Sequence, residues 1–161
     1  KNKMKKLILV ISLIVSISTA NAQMKIGDSL PDFELKNNKE ITINLTSLKG
    51  KTVLIDFWAS WCGDCRREIP TVKAIAAEYP ELVIYGYSLD RTAEAWKNAL
   101  RKYEFTWINV SDAKGWNLHA SPFGIRWIPT TFLIDPSGVV RAVALNETDL
   151  QAQVDSLLKN K

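Results

Sequence analysis

The 161-residue chain has little of what binds metals or staples a small fold: two cysteines, Cys62 and Cys65, and one histidine, His119. A zinc site needs four soft or imidazole ligands, so no metal is expected, and no cofactor motif is present. A disulfide framework is excluded too, because two cysteines close one bridge at most. No apolar run reaches the roughly 20 residues that a membrane-spanning helix requires. The formal charge of +4 is also misleading. Residues 1–22 hold four lysines and no acidic side chain, which leaves 17 basic against 17 acidic groups in the remainder. That balance argues against a nucleic-acid-binding surface. Internal repeats and low-complexity tracts are absent, and the length after residue 22 suits one domain with one substantial core.

The N-terminus has its own pattern. Lys1, Lys3, Lys5 and Lys6 precede the apolar run Leu7–Ile17, and Ala20-Asn21-Ala22 is a small-x-small pattern just before Gln23. This predicts a signal peptide over 1–22 and a single domain over 23–161, with Met4 as the expected start and an uncleaved N-terminal membrane anchor as the alternative. No cysteine stands near the cleavage pattern to take a lipid. Export places the cysteine pair in an oxidising or mixed compartment, where a lone disulfide can be structural. The loop between Cys62 and Cys65 is too short to restrain much of the unfolded chain, which weakens that alternative.

Hydrophobic periodicity predicts the rest. Phe33–Leu35 and Ile41–Leu45 read as a hairpin across Asn37-Asn38, and Val53–Trp58 as a buried strand. A helix follows the cysteines to about Tyr79, interrupted at Pro70 and ended by Pro80. Leu82–Ser88 reads as a strand, Ala93–Tyr103 as a helix capped by Asp90 or Thr92, and Phe105–Val110 as a short strand. Lys114–Ala120 is a short helix or a loop. Thr130–Asp135 and Val139–Ala144 form an antiparallel pair around Pro136-Ser137-Gly138, and Glu147–Leu158 is an amphipathic helix. Strand–helix–strand units in succession predict parallel pairing, with helices on both faces of a central sheet.

The chemistry concentrates in Trp58-Ala59-Ser60-Trp61-Cys62-Gly63-Asp64-Cys65. A strand leads in and a helix leads out, so one thiol is expected exposed at the helix tip and the other one turn inside. Free N–H groups and the helix dipole favour a thiolate at the tip. Gly63 is expected to permit close approach of the thiols. Asp64 has two opposed effects: a carboxylate suits a helix start, but it disfavours a neighbouring thiolate. Asp56 interrupts the apolar strand run, where an unpaired carboxylate is costly, and no lysine is evidently placed to pair with it. A strand-end carboxylate bonded to local N–H groups is the alternative to a functional one. Trp61 is expected at the rim of Cys62, and Trp58 either there or in the core. His119 is expected to be a surface residue.

Phe57–Arg66 resembles the active-site segment of thioredoxin-fold thiol–disulfide oxidoreductases, and Phe123-Gly124-Ile125-Arg126-Trp127-Ile128-Pro129-Thr130 resembles their cis-proline loop. Within that superfamily the chain is most similar to the extracytoplasmic TlpA/ResA-like branch, over about Ile26 to Leu158. The resemblance implies an α/β, thioredoxin-like fold: a central mixed sheet flanked by helices, an N-terminal hairpin and a central αβ insertion at Asp90–Val110. It implies Cys62 as nucleophile, Cys65 as resolving thiol and Asp56 as the buried aspartate that moves the resolving thiol's proton. Pro129 would be cis, aiming the Ile128 backbone at a bound partner. Trp61, Gly63, Asp64, Trp127 and Ile128 would touch substrate, and Trp127 stands where a small residue is usual. Disulfide-containing proteins would be the substrates and an upstream thiol reductant the electron donor, with the protein acting as a monomeric reductant, in one version on apocytochrome c. A thiol peroxidase is the second enzyme reading, disfavoured because Ala59 stands where a threonine is needed. A binding module with an inert disulfide is the third; it would predict loss of Asp56 or Pro129.

Overall fold

Val53–Trp58 is apolar at every position except Asp56, and only a central strand can bury such a run on both faces. All six residues are buried. The structure, a computed structural model, describes residues 23–116, 121–144 and 147–159. The expected leader at 1–22 and His119 lie outside the described residues.

A hairpin comes first, β1 (Glu34–Lys36) antiparallel to β2 (Thr42–Asn44). Then follow β3 (Val53–Trp58), α1 (Gly63–Glu78), β4 (Val83–Ser88), α2 (Ala93–Lys102), β5 (Ile108–Val110), β6 (Thr130–Ile134), β7 (Val140–Ala144) and α3 (Glu147–Lys159). The five-stranded sheet has the order β5-β4-β3-β6-β7. β3, β4 and β5 are parallel, because α1 and α2 carry the chain back between them, whereas β6 and β7 are antiparallel additions on the other side of β3. This is the expected thioredoxin-like α/β fold, with its N-terminal hairpin and with α2–β5 as the central insertion.

Alternation along β3 sorts its side chains to two cores. Leu54 packs with Val72 and Ile75 of α1 and with Leu150 and Val154 of α3. Val53, Ile55 and Phe57 join the opposite core, with Leu35 of the hairpin and Trp96 and Leu100 of α2. Asp56 therefore shares the face that α1 covers.

Of the two expected caps of α2, Thr92 is the one used, accepting the Ala95 N–H at 3.2 Å. Several strand boundaries differ from the sequence expectation. β5 begins at Ile108, because the Phe105 N–H turns back to the Leu100 carbonyl (3.1 Å) and its ring stacks on Trp58 at 4.6 Å. Phe105 thus belongs to the helix exit. β4 begins at Val83, since the Leu82 N–H closes the turn onto the Tyr79 carbonyl (3.0 Å). Pro70 lies inside α1 on its exposed side, where the Arg66 carbonyl loses its intrahelical donor to solvent rather than to the core.

Candidate active site

β3 ends at Trp58, whose carbonyl accepts the Leu89 N–H at 2.8 Å. The chain then turns, with the Cys62 N–H donating to the Ala59 carbonyl (3.1 Å), and α1 starts at Gly63 with Cys62 as its N-cap. Cys62 and Cys65 are joined in a disulfide. The Cys65 N–H donates to Cys62 Sγ at 3.1 Å. A free N–H at a helix start is what stabilises a thiolate at such a sulfur once the bridge is reduced. The same sulfur lies 3.8 Å from the Ile128 carbonyl oxygen. The Ile128–Pro129 bond is cis, and Thr130 Oγ1 donates to the Trp127 carbonyl at 2.8 Å, closing the loop.

The fold brings Cys62, Cys65, Ile128 and Pro129 together. Two expectations need correction, and the choice left open for Trp58 is decided. Cys62 is not openly exposed: it is 6% accessible against 3% for Cys65, with the Ile128 loop against it. Gly63 is not required by crowding, since a Cβ there would meet only the Arg66 and Arg67 guanidinium tips at 3.9 Å. Trp58 belongs to the core, donating its Nε1–H to Asn109 Oδ1 at 3.1 Å. Trp61 and Trp127, in contrast, are about half exposed on the rim. Asp64 is exposed in the first turn of α1 and ion-paired to Arg67, which offsets its charge beside the cysteines.

Asp56 is buried, and its Oδ1 has no hydrogen-bond partner among the described residues. The reading of a carboxylate satisfied by local N–H groups therefore does not describe that oxygen. Burial first, and the negative charge of Glu68 second, push the Asp56 pKa up to about 8. The neighbouring charge that acts on it is thus an acid rather than a lysine.

Three residues of the site escaped the sequence reading. Glu68 is buried on α1, one turn beyond Cys65. The Cys65–Ile69–Val72 stripe that runs past it was the available signal, because a carboxylate on the buried side of an amphipathic helix is out of pattern. Asp90 is wholly buried: its carboxylate accepts the Ser60 N–H (3.1 Å), Ser60 Oγ–H (2.5 Å) and Ser88 Oγ–H (2.7 Å). It takes the place of the next strand carbonyl after the β3–β4 ladder ends and fixes the loop before Cys62. Arg66 Nη1 holds the other side of the same residue, donating to the Ser60 carbonyl at 3.1 Å. Trp116 stands across a groove from Trp61. The sequence marked Asp90 only as a possible helix cap, and nothing local marks Trp116.

A five-stranded mixed sheet that delivers a redox-active disulfide to a helix N-terminus beside a cis-proline loop defines a thioredoxin-fold thiol–disulfide oxidoreductase. The AhpC/TSA family model matches residues 26–143. The thiol-disulfide oxidoreductase ResA of Oceanobacillus iheyensis is 31% identical over 84% of this chain and 72% of its own length. Among solved structures, the thioredoxin domain of a thiol-disulfide oxidoreductase from Bacteroides vulgatus superposes with a TM-score of 0.79 at 29% identity, covering 84% of this chain and 99% of that one. A thiol-disulfide oxidoreductase from Bacteroides fragilis gives 0.75 at 29% identity, over 81% and 100%. The chain belongs to the AhpC/TSA family and, within it, to the ResA-like thiol–disulfide oxidoreductases.

Proposed function

We propose that the protein is an extracytoplasmic reductant of protein disulfides, with Cys62 as the attacking thiol and Cys65 as the resolving one. The observation that carries the assignment is the position of Cys62 Sγ, which caps α1, accepts the Cys65 N–H and faces the Ile128 carbonyl. The Cys62 thiolate attacks a substrate disulfide, forming a Cys62–substrate bond and expelling the other substrate sulfur as thiolate. Cys65 loses its proton and attacks Cys62 Sγ, which expels the second substrate thiolate and leaves Cys62–Cys65 oxidised. Two electrons and two protons pass to the substrate, and an upstream thiol reductant restores the dithiol.

Asp56 is the proton acceptor in this scheme. A carboxyl with a pKa of about 8 is close to the ordinary thiol value of about 8.5, so a proton moves between them at little cost. Trp61, Gly63, Asp64, Trp127 and Ile128 form the surface the substrate meets around Cys62, and the residues from Ile128 to Pro129 offer backbone groups for edge pairing. The site is complete within one chain, consistent with a monomer. Residues 1–22 act as a cleaved leader that delivers the domain to the periplasm or an equivalent compartment. Reduction of apocytochrome c cysteines is the step that the resemblance to the TlpA/ResA-like branch implies. Against a thiol peroxidase stands Ala59, three positions before Cys62, which offers no hydroxyl to hold a peroxide.

The test is a pair of single variants. Cys62→Ala abolishes reduction of insulin or a model disulfide peptide, whereas Cys65→Ala accumulates a mixed disulfide on Cys62. Equal trapping by the two variants would show that the roles are wrongly assigned.

A further inference from the structure

Five large apolar side chains are exposed among the described residues, and three are tryptophans: Trp61 at 53%, Trp127 at 48% and Trp116 at 43%. Trp61, the residue before Cys62, and Trp116 wall a groove of about 410 Å³ that has Asp90, Arg91 and Thr92 along it. Both walls hang from one residue. The Asp90 carboxylate holds Ser60, the neighbour of Trp61, and the Asp90 carbonyl accepts the Gly115 N–H at 3.1 Å, the neighbour of Trp116. Gly115 has φ +70°, and a Cβ there would press on Arg91 Cγ at 3.1 Å, so a glycine lets the Trp116 loop come this close. The groove is thus a built feature that joins the active-site loop to the inserted αβ unit.

Its accessible charge has one sign. Asp90 is wholly buried and its oxygens are taken up by Ser60 and Ser88. Arg91 is exposed and makes no ion pair among the described residues. Around the same site Arg66 and Arg126 are also exposed, while the one acid of the α1 tip, Asp64, is neutralised by Arg67. Two indole faces beside an unpaired guanidinium suit a ligand that is apolar at one point and anionic at the next.

We propose that this groove is the docking subsite of the substrate polypeptide. It takes an extended segment that carries an apolar side chain next to the reacting cysteine and a carboxylate within reach of Arg91. The inference rests on the reading of Cys62 as the attacking thiol, which puts the Trp61 wall of the groove next in sequence to the forming mixed disulfide. Specificity of this kind acts through local charge, so it weakens as salt screens exposed pairs.

The experiment measures second-order reduction of two disulfide peptides by the dithiol protein. The peptides are identical except that Leu-Glu or Leu-Lys adjoins the cysteine. Each rate is divided by the same variant's rate with hydroxyethyl disulfide, a substrate too small to fill the groove. The acidic peptide is expected to react about tenfold faster at low ionic strength, a preference that shrinks at about 0.5 M salt. Arg91→Gln should bring the ratio near one, and Arg91→Glu should invert it. Trp116→Ala should lower the normalised rate of both peptides. A wild-type ratio of one, or a preference that survives Arg91→Glu unchanged, would overturn the proposal. Failure of the wild-type dithiol to reduce hydroxyethyl disulfide at all would instead sink the oxidoreductase reading, and the groove's role with it.

Discussion

Replacing Asp56 by asparagine should make the protein more stable at alkaline pH and slower at its chemistry. The folded carboxyl binds its proton more tightly than the unfolded one, with its pKa moved by burial and by Glu68 from 3.8 to about 8. The sign follows directly: wild-type stability is fullest below about pH 4, declines as pH rises through the window from about 4 to 8, and then levels. At about 1.4 kcal/mol per pKa unit, the full displacement corresponds to about 5–6 kcal/mol. That is a ceiling, because the charged site can relax and admit water, and about 2–4 kcal/mol is the expected effect. The Asp56→Asn variant carries no titratable group at this position and has no such window. Urea unfolding of the oxidised form, with both cysteines in the disulfide, should therefore give nearly equal stabilities at about pH 4 and a more stable variant at about pH 9. Carboxylates not coupled to Asp56, all but Glu68, titrate alike in both proteins and cancel in the difference. Resolution of the Cys62 mixed disulfide should slow about 100-fold in the variant, since Cys65 loses its proton acceptor. A stability difference that stays flat across the window would show that Asp56 is not the desolvated acid inferred here. Wild-type resolution rates between about pH 6 and 9 would remove its proton-transfer role.

Three further outcomes are expected. Gly86→Ala drives a Cβ into Asn109 Oδ1 and to within 3.3 Å of Trp58 Nε1, so it should break the Trp58–Asn109 bond and cost about 2–4 kcal/mol in urea unfolding. Asp90→Ala leaves the Ser60 N–H and two hydroxyls without their buried acceptor; a loss of about 2–4 kcal/mol should come with slower reduction of a peptide disulfide, and an unchanged reduction rate would show that Asp90 does not position the Cys62 loop. Mass spectrometry of the exported protein should find Gln23 as its first residue, and a chain that retains residues before Gln23 would favour the N-terminal anchor.

What the sequence settled by itself was local. The alternation and apolarity of Val53–Trp58, the three-residue cysteine spacing and a capped start of α2 at Asp90 or Thr92 are short-range patterns, legible because strand pleat and helix capping act over a few residues. Asp56 was conspicuous for the same reason, as a charge inside an apolar run. Resemblance added the mixed sheet and the cis geometry at Pro129, which no local rule would have supplied, since an X–Pro bond is cis in only about 5–6% of cases. Tertiary structure decided how deeply the parts are set and what they face. Glu68 acts on Asp56 because α1 crosses β3 on the Leu54 face, not because of any spacing between them. Asp90 reaches Ser60 across 30 residues, and Asn109 reaches Trp58 across 51, through the β3–β4–β5 register. The need for glycine at position 86 arises only because β5 sets Asn109 opposite it. Trp116 became a wall of the groove only when its loop was fastened to Asp90. Contacts of this kind depend on which strands become neighbours and in what register, and pairing at such sequence separations leaves no periodic trace in the chain.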